Sequence, residues 1–162
     1  MLDHGLYHQI AYVTSDLEQA FEVYARHYGV PKFLELELPP NPDASPTSLR
    51  VALANVGGLE IELIQPAATE PVYADVLPKD GSFAIVFHHV CIRIEGDLAA
   101  WELHRKHIDE SEHPVVIEGG RGNDLRYIYT DERSRLGHYL EHVWYSAEML
   151  AQMEDIVPRY PG

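Results

Sequence analysis

The chain has 162 residues, the usual size of one domain or of two small fused modules. Its 46% hydrophobic and 23% charged residues are ordinary for a folded protein and leave enough length to bury a core. A net charge of −14 repels phosphate backbones and anionic lipids, which argues against nucleic acid or a membrane as partner, and a single cysteine, Cys91, excludes an internal disulfide framework. The apolar runs are too short to cross a bilayer. The start, MLDHGLYHQI, has neither a basic segment nor an apolar one, so no leader is expected and a reducing cytoplasm is the expected setting. Ten histidines is a high count. His4, His27, His104, His107 and His113 fall in expected loops or on expected helix surfaces, where solvated side chains are the default.

Residues 6–13, LYHQIAYV, are rich in β-formers and predict a strand. Ser15-Asp16-Leu17-Glu18 follows as a capping box, with Ser15 as the cap. Leu17, Ala20, Phe21, Tyr24 and Tyr28 then keep helical spacing until Gly29 and Pro31 stop the helix. KFLELEL at 32–38 alternates like a half-buried strand. PPNPDASPT at 39–47 is a proline-rich loop that cannot enter a sheet interior. Strands at 49–56 and 59–65 meet at Gly57-Gly58, a tight hairpin signal. Residues 67–82 read as a connector rich in Pro and Gly.

After the connector the pattern starts again. AIVFHHVCIRI at 84–94 predicts a long strand, Asp97-Leu98 opens a helix, and strands follow at 114–118, 125–130 and 138–145. A short helix is expected from Ser146. The chain therefore divides into a first βαβββ module (1–66), a connector (67–82), a second βαβββ module (83–145) and a C-terminal helix and tail (146–162). His8 and His89 are 81 residues apart, as are Asp16 and Asp97. Ile61-Glu62-Leu63 matches Leu140-Glu141-His142 at an offset of 79. Such internal repetition weighs more on the fold than any local propensity. It predicts an α+β fold of two tandem βαβββ modules with their helices on one side; if the mixed sheet curls, as the family resemblance given below implies, the other side lines a cleft.

Side chains alternate between the two faces of a strand. Val90, Ile92 and Ile94 form an apolar row suited to the helix, which leaves His89, Cys91 and Arg93 opposite. Ala11 and Val13 are assigned to the helix side and His8, Ile10 and Tyr12 to the other. Ile61, Leu63 and Leu140 point to the helices, so Glu60, Glu62 and Glu141 point away. His8, Glu62, His89 and Glu141 are thereby expected on the helix-free face. Two imidazoles and two carboxylates suit a divalent ion such as Zn, Ni, Co, Mn or Fe. A cation would also explain carboxylates on a face expected to be enclosed.

The segments HQIAYVTSDLEQAFEVYARHYGV, IELIQP, HHVCIRIEGDL and GHYLEHVW together resemble the vicinal-oxygen-chelate superfamily. That superfamily contains glyoxalase I, methylmalonyl-CoA epimerase, extradiol dioxygenases and bleomycin-resistance proteins, and the resemblance spans about residues 6–145. It is strongest for the epimerase and glyoxalase branch, and it implies a metal held by His8, Glu62, His89 and Glu141. The chain departs from the epimerases on the third strand of the first module, where Arg50 stands in place of an acid and could bind a substrate carboxylate or phosphate.

The resemblance implies an isomerase or lyase of the glyoxalase/epimerase type. It would work by metal-assisted proton transfer on a small oxygenated metabolite. Glu141 is the first candidate for the base and Glu62 the second. Tyr12, Tyr127, Tyr129 and His138 are candidate cleft-lining groups, and Cys91 is expected to pack as a small hydrophobe. An iron-dependent extradiol-type dioxygenase is the alternative enzyme. A non-catalytic drug-binding protein of the bleomycin-resistance type is the alternative outside enzymes. A homodimer with one complete site per chain is the expected assembly.

Overall fold

The structure, a computed structural model, describes residues 5–38, 49–67 and 71–162. The proline-rich loop expected at 39–47 lies outside the described residues, as does His4. The first half runs β1 (Leu6–Thr14), α1 (Leu17–His27), β2 (Leu34–Leu38), β3 (Leu49–Val56) and β4 (Leu59–Gln65). The expected connector carries a single turn, α2 (Pro71–Ala74). The second half runs β5 (Ile85–Arg93), α3 (Leu98–His107), β6 (Val115–Arg121), β7 (Leu125–Asp131), α4 (Arg133–Leu136) and β8 (Tyr139–Tyr145). Helix α5 (Ala147–Ile156) and the short strand β9 (Arg159–Tyr160) close the chain. The architecture is α+β with mixed strand pairing and a repeated βαβββ order. By spatial contact the chain forms two compact units, Gln9–His88 with Ile156–Gly162, and Met1–His8 with His89–Asp155. No helix among the described residues is long and apolar enough to cross a membrane.

In the unit around Gln9–His88, β2 and β4 flank β3 antiparallel, and β1 lies parallel to β4. Strand β9, not foreseen from sequence, pairs with the end of β3. Ala52, Ala54 and Leu63 on one sheet face pack with Leu17, Ala20 and Tyr24 of α1 and with Val30 and Phe33. Full burial of a side chain such as Leu17 or Leu63 contributes on the order of 1.5–3 kcal/mol. The helix starts one residue later than the capping box suggests. Asp16 is the cap and accepts from the Gln19 amide at 2.9 Å. The Ser15 hydroxyl instead accepts from the Ala84 amide at 3.2 Å.

Gly57 and Gly58 form the two-residue loop between paired Val56 and Leu59, at φ +60° and +91°. Both angles are left-handed, so a side chain there is strained. Gly58→Ala is expected to cost about 1–2 kcal/mol. It should appear as a lower urea midpoint with unchanged slope.

The unit around His89–Asp155 repeats the plan. Strand β5 lies parallel to β8, β7 is antiparallel to β8, and β6 is antiparallel to β7 with an irregularity between Val115 and Ile117. Ile92, Ile94, Ile128 and Trp144 pack with Trp101 and Ile108 on the α3 side. Asp97 caps α3 by accepting from the Ala100 amide at 3.1 Å.

Candidate metal centre

The second module delivers its two expected ligands to one face. Register pairs His89 with Tyr139 and Cys91 with Glu141, while Ile92, Ile128 and Trp144 face α3. His89 and Glu141 therefore share the helix-free face. The His89 ring is fully buried, and its Nε2 lies 3.1 Å from Glu141 Oε2 and 3.5 Å from the Tyr129 hydroxyl. The Tyr129 ring meets His89 edge-on at 4.8 Å, so packing as well as hydrogen bonding fixes the imidazole. An imidazole and a carboxylate held this way from neighbouring rigid strands fit a borderline divalent cation, and both donor atoms lie within 4.8 Å of each other.

In the first module, register separates the remaining candidates. Across β3 and β4, Arg50 pairs with Gln65, Ala52 with Leu63 and Leu53 with Glu62. Ala52 and Leu63 belong to the core under α1, so Arg50 lies on that side and Glu62 on the helix-free face. Arg50 donates to Glu18 at 2.7 Å and to Glu35 at 3.3 Å, a half-exposed ion-pair cluster beside the start of α1. A role for Arg50 in holding substrate would need that cluster to open.

The facing expected for β1 is corrected. Gln9 pairs with Glu60, Ala11 with Glu62 and Tyr12 with Leu63. Tyr12 packs against the α1 core. Gln9, Ala11 and Val13 thus share the face of Glu60 and Glu62, and His8, Ile10 and Tyr12 fall on the helix side by alternation. The assignment from sequence took the wrong phase because buried Ala11 and Val13 look like a helix-facing row. Both are fully buried on the other face. Gln9 is itself 5% exposed and donates to Glu60 Oε1 at 2.9 Å.

His8 is half-buried, with its ring edge-on to Tyr145 at 5.8 Å. Burial lowers its pKa, assisted by the Arg93 charge and opposed by Glu141 and Glu154. Tyr127 stands beside Tyr129 with ring centroids 6.3 Å apart. Cys91 is buried on the His89 face. His138 precedes β8 and its Nδ1 donates to the Tyr139 carbonyl at 2.6 Å.

A second histidine cluster was not foreseen. His104, expected on a helix surface, is 6% exposed and shares a 2.9 Å hydrogen bond with fully buried His142, which also contacts Thr130 Oγ1 at 3.3 Å. Helical spacing gave a clue, since His104 follows buried Trp101 by three residues on α3. His113 is likewise engaged, 2.7 Å from Glu132 Oε1.

The sequence model of the glyoxalase/bleomycin resistance protein/dioxygenase superfamily matches residues 8–124. Comparison with curated proteins gives no match. Among solved structures, the methylmalonyl-CoA epimerase of Mycobacterium tuberculosis is similar at 21% identity and TM-score 0.60, covering 93% of this chain and 97% of its own. A Streptomyces coelicolor methylmalonyl-CoA epimerase in complex with 2-nitronate-propionyl-CoA matches at 19% identity and TM-score 0.59, covering 90% and 97%. A hypothetical protein of Bacillus halodurans C-125 matches at 17% and 0.60, covering 86% and 94%. At these identities the likeness is one of fold. With most of its length matched by the family model, the chain belongs to the glyoxalase/bleomycin resistance protein/dioxygenase superfamily.

Proposed function

We propose that this chain is a metal-dependent enzyme of the glyoxalase and epimerase type, an isomerase or lyase that moves a proton on a small oxygenated metabolite. The observation that carries the reading is the buried His89–Glu141 pair with Tyr129 against it. A carboxylate only 8% exposed beside a fully buried imidazole is costly unless a cation or proton balances it. His89 and Glu141 would hold the ion. A bound divalent ion would supply Lewis acidity, lowering the pKa of a C–H bond next to a substrate carbonyl.

The chain's own residues would do the rest. Glu141 is the proposed proton acceptor, since its second oxygen is not the one bonded to His89. Glu62 is the second candidate base. Tyr129 holds the His89 ring and excludes water from it. Tyr127 would line the approach to that face, whereas Tyr12 packs towards α1. An iron-dependent dioxygenase is the second reading, against which the donor chemistry counts, since such enzymes hold iron with two histidines and one carboxylate.

Protein purified without chelator and assayed for bound metals tests the proposal. About one divalent ion per chain is expected. No retained metal and no uptake on titration would remove the metal assignment, and oxygen consumption on catechols by an iron form would favour the dioxygenase.

A further inference from the structure

Strand register lays out the helix-free face of the unit around His89–Asp155. On β5 the side chains of His89, Cys91 and Arg93 share that face, because Ile92 and Ile94 pack on the α3 side. Cys91 stands opposite Glu141, and Glu141 opposite Tyr129, so these three form one row across β5, β8 and β7. Arg93 stands opposite Val143, and Val143 opposite Tyr127, which form the next row. Two residues of extended chain separate the rows, a rise of about 7 Å. Arg93 thus lies on the face of the proposed proton acceptor, one row further along. Exposure grows in the same direction. The His89 side chain is closed to solvent, that of Glu141 is 11% exposed and that of Arg93 is 19% exposed.

Arg93 is poorly matched where it stands. Among the described residues its guanidinium makes no hydrogen bond, and the one acid it meets is Glu95, at 3.9 Å. The Glu95 side chain is 66% exposed, and so long an ion pair to a solvated carboxylate contributes little. Arg105, Arg133 and Arg135 of the same unit each hold a carboxylate at 2.9 Å or closer. A guanidinium presents its donors in a planar fork, and a largely covered one calls for an acceptor. Acids outnumber bases in this chain by 26 to 12, so most of the surface repels an anion and a fixed cation is needed to hold one.

We infer that Arg93 anchors the substrate by a terminal anionic group, a carboxylate or a phosphate, taken in the bidentate geometry of the guanidinium. The inference rests on the metal reading proposed above. The oxygenated head of the substrate lies at the ion beside His89 and Glu141, its chain crosses Val143 next to Tyr127, and its acid ends at Arg93. The anchor expected at Arg50 is thereby moved, since the Arg50 guanidinium is already taken up by Glu18 and Glu35. Metabolites with an acid a few atoms from the oxygenated carbon are selected over neutral ones with the same head.

The test is calorimetric titration of the Co2+-loaded chain with three probes that share an α-keto acid head. They are α-ketovalerate, whose tail is neutral, α-ketoglutarate, and the analogue of the latter with a phosphonate in place of the distal carboxylate. The wild type should bind an anionic-tailed probe about tenfold or more tighter than α-ketovalerate. Whichever tail binds tighter identifies the carboxylate or the phosphate as the group held. Arg93→Met keeps the covered stem and removes the charge. It should cut the preference to within about twofold while Co2+ uptake and α-ketovalerate affinity stay within about threefold. Arg93→Gln, neutral but polar, should do the same and carries the test if the methionine disturbs folding. Arg50→Met should leave the preference intact. A preference kept in the Arg93 variants, lost equally in Arg50→Met, or absent from the wild type would overturn the anchor while leaving the metal reading standing. A wild-type chain that takes up no Co2+ overturns both.

Discussion

His89→Ala should lower divalent-metal affinity by two orders of magnitude or more, about 2.8 kcal/mol of binding free energy. The residue is fully buried, so water cannot readily replace the lost nitrogen in position. The same change removes the hydrogen-bond partner of Glu141 and the edge contact of Tyr129. The metal-free variant should therefore also lose about 2–4 kcal/mol of stability. Glu141→Gln separates binding from chemistry. An amide keeps the shape and can still bond His89, so metal should be weakened but partly retained. Turnover should fall about 100-fold or more, because an amide cannot accept the proton. Metal content by elemental analysis and turnover on the substrate the wild type consumes give the two readouts. Unchanged turnover in Glu141→Gln would remove Glu141 as the base.

The two variants bear on residues whose strand face was legible in the sequence. His89 and Glu141 were readable because Val90, Ile92 and Ile94 form an unambiguous apolar row against α3, which fixes the phase of β5. Glu62 was readable for the same reason, with Ile61 and Leu63 beside it. Strand β1 was not, because one of its faces is buried and the other half-buried. Ala11 and Val13 then look like a helix-facing row on whichever side they lie, and alternation alone cannot set the register. The helix caps at Asp16 and Asp97 repeat faithfully, but the turn with Gly96 carries one extra residue, so spacing measured between helices misaligns the strands before them. Strand β9 was illegible because two residues carry no periodicity. The burial of His104 depends on a partner 38 residues away.

That buried histidine cluster should make the metal-free protein acid-sensitive. Burial, and then the neighbouring His104 and His113 charges, lowers the His142 pKa to about 3. The unfolded chain returns it to about 6.5. Above pH 6.5 neither state binds the proton, and the group adds no pH dependence. Below it the unfolded state takes up a proton that the native state excludes, so stability falls as pH falls. The slope is about 1.4 kcal/mol per pH unit down to the folded pKa, on the order of 4 kcal/mol in all. That is a large fraction of the roughly 5–15 kcal/mol of a typical domain. His8, whose pKa burial also lowers, acts in the same direction. Urea unfolding of the apo chain between pH 7 and pH 4 should show this steepening. In His142→Gln, which carries no ionisable ring, stability at pH 7 should drop by about 1–3 kcal/mol through the altered contacts with His104 and Thr130. Its pH slope should be flatter by close to one proton. If the slope of the variant matches that of the wild type, His142 is already charged in the native state. The burial that holds it beside His104 would then have to be matched by an anion within its reach.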